Sequence, residues 1–300
     1  MKDLTIIGGG PAGLSALIYA CRANLDVLLI EKESLGGKLI KIDSIENYPG
    51  FKQISGFDLA NDFIEHTKSF NYETRYANIK KIVDQKDYKQ IILDNDEIID
   101  TKTIIIASGS KEKELELAYS KQYTGKGISY CAVCDGFFYR KKDVVIIGGG
   151  NSALQEALYL SQLVNSITII IRRDVFRGDR LLVDKIEQNK KIKVIKNTLP
   201  NKLVTEDDKL IGLEIKDKDN NLSIINCSGI FPYLGSIPNT SFVPKELLDE
   251  NGYIKVNKDK STAIKGIYGA GDVTNTNLRQ VVTACSDGAL AASSVIKFLQ

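Results

Sequence analysis

Leu4-Thr-Ile-Ile7, Gly8-Gly9-Gly10-Pro11-Ala12-Gly13 and the helical stretch from Leu14 to Ala23 run together near the start of the chain, followed by Val27-Leu-Leu-Ile30 and Glu31. An apolar strand, a G-x-G-x-x-G turn, a helix and a second strand ending in an acid make the dinucleotide-binding βαβ pattern. The glycines allow a tight turn and close approach of backbone to a pyrophosphate, and the helix N-terminus offers free N–H groups. Gly8, Gly10, Pro11, Ala12 and Gly13 are therefore candidate contacts, with Glu31 as acceptor for a ribose hydroxyl. A carboxylate there suits FAD or NAD and repels a 2′-phosphate.

The pattern recurs. Val144-Val-Ile-Ile147 leads into Gly148-Gly149-Gly150-Asn151-Ser152-Ala153, a helix from Leu154 to Leu163 and the strand Ile167-Thr-Ile-Ile-Ile171. This second strand ends not in an acid but in Arg172-Arg173-Asp174, with Arg177 close behind. Guanidinium groups bind phosphate bidentately, so the site reads as NADPH, with Gly148, Gly150, Asn151, Ser152, Ala153, Arg172, Arg173 and Arg177 as its candidates. Asp174 is the discordant residue, since a carboxylate there can bond a ribose.

Gly266-Ile-Tyr-Gly-Ala-Gly-Asp272 and Thr103-Ile-Ile-Ile-Ala-Ser-Gly109 are further strand-to-glycine segments. Both extend the first nucleotide site, where Asp272 can bond a ribityl hydroxyl of a flavin. The expected fold is thus α/β, two Rossmann-like three-layer domains, with a discontinuous FAD domain (residues 1–112 and 241–300) and an NADPH domain (113–240) inserted into it. A mixed β region is expected around Lys193–Phe231, turning at Lys218-Asp-Asn-Asn221.

Just before the second turn lies Cys131-Ala-Val-Cys134-Asp135-Gly136. C-x-x-C beside a βαβ unit reads as a redox pair. A zinc half-site needs two more ligands, whereas Cys21, Cys227 and Cys285 are scattered and His66 is the one histidine. Cys21 falls on the first helix, Cys227 in a strand and Cys285 in an apolar stretch, all read as buried small hydrophobes. No metal is expected. Dithiol chemistry needs a proton carrier. Asp135 is the nearest titratable neighbour, though its spacing equally fits a turn residue before Gly136.

A formal charge of +2 over 300 residues gives no nucleic-acid surface. No run approaches 18 apolar residues, so no membrane span is expected. The N-terminus lacks the features of a signal peptide. A cytoplasmic location follows as the expectation.

With Glu46-Asn-Tyr-Pro-Gly50, Ser129-Tyr-Cys-Ala-Val-Cys-Asp-Gly-Phe-Phe-Tyr-Arg140, Arg172-Arg-Asp-Val-Phe-Arg177, Pro238-Asn-Thr240 and Arg279-Gln-Val-Val-Thr283 added to the glycine motifs, the chain resembles the low-molecular-weight, bacterial-type thioredoxin reductases over essentially its whole length. The resemblance implies hydride transfer from NADPH to FAD, then reduction of the Cys131–Cys134 disulfide, then of thioredoxin. It makes Cys134 the sulfur nearer the flavin, Cys131 the attacker of thioredoxin and Asp135 the proton carrier. Asn47, Asp272, Arg279, Gln280 and Val281 would line FAD, with Gly109 beside them. Phe137 and Phe138 would dock thioredoxin, against the alternative that they pack in the core. A homodimer is implied, as is rotation of the inserted domain about linkers near 111–115 and 238–243.

The chain departs from the family at Gly36-Gly37-Lys38, where glutamine is usual, so Lys38 is a candidate flavin contact. Ile171 replaces a histidine, and Pro232 in Phe231-Pro-Tyr-Leu-Gly235 suggests an irregular strand end. Three rival functions remain on the same scaffold. A dithiol oxidase typically lacks the NADPH motif present here, a peroxiredoxin-linked reductase carries an extra N-terminal module, and a non-catalytic flavoprotein would tolerate Cys134→Ser.

Overall fold

The computed structural model describes residues 1–300. In chain order the strands are β1 (Lys2–Ile7), β2 (Val27–Glu31), β3 (Glu73–Tyr76), β4 (Ile79–Asp84), β5 (Lys89–Leu93), β6 (Ile98–Ile106), β7 (Ser110–Glu112), β8 (Asp143–Ile147), β9 (Ser166–Ile170), β10 (Ile192–Ile195), β11 (Thr198–Glu206), β12 (Lys209–Asp217), β13 (Leu222–Asn226), β14 (Gly229–Pro232), β15 (Ser236–Pro238) and β16 (Ile267–Gly269). The helices are α1 (Pro11–Arg22), α2 (Gly56–Thr67), α3 (Ser120–Tyr123), α4 (Ala132–Asp135), α5 (Asn151–Ser161), α6 (Arg180–Gln188) and α7 (Val281–Leu299). The chain divides into two units, one made of Met1–Lys111 with Ile237–Gln300 and the other of Glu112–Ser236. Pro238–Thr240 thus belong to the first unit. The chain segments that cross between the units, β7 and β15, pair as a two-stranded sheet. The fold is α/β with two Rossmann-like units, one inserted in the other.

In the first unit the sheet order is β3-β2-β1-β6-β5-β4, with β16 on β6. β1 pairs in parallel with β2 (Leu4↔Val27, Ile7↔Ile30) and with β6 (Ile7↔Ile106), while β5 pairs with β6 in the antiparallel sense. β1 and β2 are nearly continuous apolar runs because both sheet faces are covered, and Leu4, Ile6, Leu29 and Ile105 are fully or almost fully buried. α1 and α7 pack closely. A Cβ on Gly288 would stand 2.0 Å from the Ala12 carbonyl oxygen. By length and composition α7 could cross a membrane, but its Ala291, Ala292 and Val295 are buried in the core that also holds Leu14 and Leu17 of α1. One face of α7 is thus core, while Leu290 and Phe298 on it are exposed.

The second unit has a parallel sheet of order β10-β9-β8-β14 and an antiparallel β11-β12-β13 meander, whose last turn is the 218–221 segment. β8 and β9 are in register, Val144↔Ile167 to Ile147↔Ile170. The meander supplies Leu203, Leu213 and Ile215 to a core shared with Val145 and Ile147.

Two expectations are corrected here. Cys227 is not in a strand but in the link between β13 and β14, although buried. Pro232 does not make the strand end irregular. β14 keeps register with β8 through Pro232↔Ile147, and Tyr233 N–H donates to the Ile147 carbonyl at 2.7 Å. β14 is the last strand on its side of the sheet, where a residue without an N–H is tolerated.

Candidate functional site

The first glycine turn is shaped by contact. Gly8 has φ +105°, a conformation open to glycine at little cost, and a Cβ there would meet the Ala107 carbonyl oxygen at 2.4 Å. Gly13 presses on the strand end, where a Cβ would stand 1.8 Å from the Gly8 carbonyl oxygen. Gly10 faces open space. α1 begins at Pro11 with no side-chain cap and no acid in its first turn. Its leading N–H groups are thus left for an anion. Glu31 fixes the turn, accepting from Gly9 N–H at 2.7 Å on one oxygen and from Lys32 and Glu33 N–H at 2.8 Å on the other. Oε2, which accepts only the Gly9 bond, keeps a lone pair for a ribose hydroxyl, whereas Oε1 already accepts two.

The other flavin candidates of this unit come together through side chains far apart in sequence. Asn47 Nδ2 donates to Gln280 Oε1 at 3.0 Å. Gln280 and Thr283 form the capping box of α7, so Val281 opens that helix. Lys38 Nζ donates to Ser110 Oγ at 3.2 Å, next to Gly109. The Arg279 guanidinium lies 4.2 Å from the Tyr253 ring centroid and donates to the Asp272 and Thr274 carbonyls. Ala12 touches the same turn, since a Cβ on Gly271 would meet it at 2.9 Å.

Sequence reasoning missed Lys260 and Asp287. Asp287 accepts from Gly271 N–H at 3.2 Å and pairs with Lys260 Nζ at 2.6 Å, both side chains being largely buried. They hold the residue that precedes Asp272. No motif flags them, because the contact joins a loop and a helix through the fold.

In the second unit Gly148 (φ +140°) passes the Tyr233 carbonyl oxygen at 2.4 Å from a would-be Cβ, and Gly150 faces open space. α5 starts at Asn151 with no side-chain cap and no acid in its first turn. Ser152 follows Asn151 in that turn, and Ala153 is fully buried. The arginine loop is latched to this turn. Arg177 N–H donates to the Gly149 carbonyl at 2.8 Å, and Asn151 and Asp179 exchange two hydrogen bonds. Arg172, Arg173 and Arg177 are all exposed. Ile171 is buried against Gly149.

Cys131 and Cys134 form a disulfide with Cα atoms 5.3 Å apart. α4 carries the pair on a single turn, capped by the Cys131 sulfur, which accepts from Cys134 N–H at 3.1 Å. Asp135 closes the turn, its N–H donating to the Cys131 carbonyl at 3.1 Å. Its carboxylate takes the Ser129 hydroxyl at 2.6 Å, and Ser129 Oγ accepts from Cys131 N–H at 3.1 Å. Ser129 was not a candidate from sequence, since a lone serine two residues before a cysteine carries no pattern. Phe137 and Phe138 are 65% and 69% exposed, which removes the core-packing alternative. Of the remaining cysteines Cys227 is buried as expected, whereas Cys21 and Cys285 are only half-buried. Burial pushes the Cys227 thiol up to about 12, burial pushes Cys285 up to about 11, and burial raises Cys21. No three histidine, cysteine, aspartate or glutamate side chains cluster as metal ligands would.

Two Rossmann units, each with an uncapped helix start behind a glycine turn, and a disulfide on an exposed turn of one of them define a dinucleotide-dependent disulfide oxidoreductase. The model of the pyridine nucleotide-disulphide oxidoreductases matches residues 2–288, and the chain belongs to that family. It is 37% identical over 300 residues to a thioredoxin reductase of Listeria monocytogenes, covering 99% of this chain and 94% of the relative. It is 40% identical over 298 residues to a thioredoxin reductase of Mycoplasma genitalium, covering 98% and 94%. The crystal structure of Lactococcus lactis thioredoxin reductase superposes with a TM-score of 0.97 at 38% identity, covering 100% of this chain and 99% of that one.

Proposed function

We propose that the protein is an NADPH-dependent thioredoxin-disulfide reductase holding FAD. The observation that carries this reading is the Cys131–Cys134 disulfide, seated in the same unit as the arginine-ended nucleotide turn and next to two exposed phenylalanines. FAD, when bound, relays electrons from NADPH to that disulfide. FAD is assigned to the first unit, held by Gly8, Gly10, Pro11, Ala12, Gly13 and Glu31 on the dinucleotide, and by Lys38, Asn47, Gly109, Asp272, Arg279, Gln280 and Val281 around the rest. The uncapped start of α1 and the open side of Gly10 support this. NADPH is assigned to the second unit, its pyrophosphate on Gly148, Gly150, Asn151, Ser152 and Ala153 and its 2′-phosphate on Arg172, Arg173 and Arg177. The exposure of the three arginines beside the uncapped start of α5 supports this.

The protein's own residues then do the following. Once the disulfide is reduced, the Cys131 thiolate attacks the disulfide of oxidised thioredoxin, and one substrate sulfur leaves and takes a proton. Cys134 attacks Cys131 in the mixed disulfide, which restores the Cys131–Cys134 bond and releases the second sulfur. Asp135 carries protons between the pair and the departing sulfurs. Phe137 and Phe138 form the docking surface for thioredoxin. Met1–Lys111 with Ile237–Gln300 form the FAD domain, and Glu112–Ser236 the NADPH domain. The protein works in the cytoplasm, where its dithiol partner is kept reduced. It is a homodimer, for which the exposed Tyr19, Phe57 and Leu290 on α1, α2 and α7 provide apolar surface.

The flavin spectrum under anaerobic conditions tests the core of this reading. NADPH should bleach the flavin band, and oxidised thioredoxin should bring it back. A flavin that stays oxidised on adding NADPH would sink it.

A further inference from the structure

Ser129 takes no part in the reaction as written above, yet its hydroxyl is where the polar groups around the disulfide meet. The residue is 2% exposed. Its Oγ donates to Asp135 Oδ2 at 2.6 Å, accepts from Cys131 N–H at 3.1 Å, and has the Cys131 carbonyl as a second acceptor at 3.2 Å. Its N–H donates to the Ile230 carbonyl at 3.0 Å, so β14 fixes the residue that fixes the carboxylate. A hydroxyl has one proton to give and two lone pairs to receive. Facing a charged Asp135, Ser129 donates to Oδ2. Facing a protonated Asp135, it accepts from the carboxyl and turns its own proton to the Cys131 carbonyl. Both arrangements leave every group paired in a site where an unpaired polar atom is costly.

We propose that Ser129 is the positioning residue for proton transfer at the Cys131–Cys134 pair, acting through Asp135. This rests on the reading of Asp135 as proton carrier. A full turnover oxidises two thiols to the disulfide and reduces one substrate disulfide to two thiols, so two protons leave the pair and two reach the substrate sulfurs. Asp135 must be charged to take a proton and neutral to give one, and the Ser129 hydroxyl serves both states without moving any heavy atom. The anchoring to the Cys131 backbone keeps the carboxylate in place as the S–S bond opens and closes.

Few other ionisable groups stand near Asp135. Tyr139 is pushed up by burial and then by the Asp135 carboxylate and Cys227, and Cys227 itself is pushed up to about 12. Tyr159 of α5 lies against Gly136, and Lys142 stands over the Tyr139 ring at 5.9 Å. Behind Ala132 are Tyr233, raised by burial and by Glu156, and Glu156 itself. The buried tyrosines and Cys227 keep their protons at neutral pH, which leaves the dithiol and the carboxylate to exchange them.

The test is single-turnover oxidation of the pre-reduced holoenzyme by oxidised thioredoxin, followed across pH. Ser129→Ala should slow this step roughly tenfold, the effect of losing one hydrogen bond to a charged group. It should also change the shape of the pH–rate profile of this step, because the proton carrier is no longer held in place in either state. Flavin reduction by NADPH should be unchanged, and Ser129→Thr should recover the wild-type profile. On an Asp135→Asn background Ser129→Ala should add less than about twofold, as for residues acting in series. Flavin content and thermal midpoint of each variant separate a folding defect from these effects. An unmoved pH profile in Ser129→Ala, or an undiminished effect on the Asp135→Asn background, overturns the proposal. Wild-type rates in Asp135→Asn alone would overturn the reading of Asp135 and this inference with it.

Discussion

Cys285 sits on α7 with its sulfur toward the Pro11 carbonyl, close to the first glycine turn, yet burial holds its thiol up at about 11. Cys227 is pushed further, to about 12. A thiol whose pKa is raised reacts only as pH climbs toward it. In the NADPH-reduced enzyme at pH 8, iodoacetamide should therefore modify Cys131 and Cys134 first. Peptide mass mapping should show Cys285 following only as pH approaches 11 and Cys227 last. Rapid labelling of Cys285 at pH 8 would contradict its burial. Charge makes the second prediction. Arg172→Ala should raise KM for NADPH roughly tenfold or more, the scale of a lost charge-assisted contact, and leave KM for NADH nearly unchanged. Equal effects on both nucleotides would place the 2′-phosphate elsewhere. At this scale the cysteine pair was legible because it has a fixed spacing. Ser129, Lys260 and Asp287 were not. Their roles arise from hydrogen bonds and an ion pair whose partners are set by the fold rather than by neighbours in sequence.

Among the elements, α1 and α7 are the closest-packed pair of the first unit, and Gly288 is the point of contact. A methyl group there would stand 2.0 Å from the Ala12 carbonyl oxygen and 3.0 Å from the Ala16 nitrogen, both backbone atoms. Gly288→Ala must push the helices apart and should cost about 1–3 kcal/mol, the usual range for overpacking. Because Ala12 belongs to the glycine turn, the variant should also lose FAD on gel filtration, while the wild type keeps it. A thermal midpoint unchanged from wild type would show that α7 shifts freely. Both βαβ patterns were legible as elements, since strand, glycine turn and helix are consecutive in sequence. The β14 end was misjudged. Proline reads as a breaker from sequence, but whether it breaks depends on which side of the strand is paired, and that is decided by sheet order.

For the molecule as a whole, Phe137 and Phe138 stand exposed on the unit that carries the disulfide, where the proposed function has thioredoxin dock. Arg140 lies 5.5 Å from the Phe137 ring centroid, which steadies that ring in solvent. Exposed aromatics beside a reactive group act as anchors for a partner. Phe137→Ala and Phe138→Ala should each raise KM for thioredoxin several-fold. Reduction of the flavin by NADPH should be unaffected in both, since neither residue belongs to a nucleotide turn. An unchanged KM in the double variant would move the docking surface away from this turn. Exposure was the one property of these residues that sequence left open, because an aromatic pair after a cysteine turn packs inward as readily as outward.

The discontinuous first unit has a consequence for synthesis. β1 and α1 leave the ribosome at the start, but β16 and α7, which complete their sheet and their helix layer, lie within the last 64 residues, 237–300. The inserted unit, Glu112–Ser236, is finished before them. Domains generally fold as units during translation, so the nascent chain acquires its disulfide-bearing unit while the β1–α1 half still lacks its partner helix. On the flavin assignment proposed above, capture of the cofactor waits until α7 packs on α1, after the unit bearing the cysteine pair has formed.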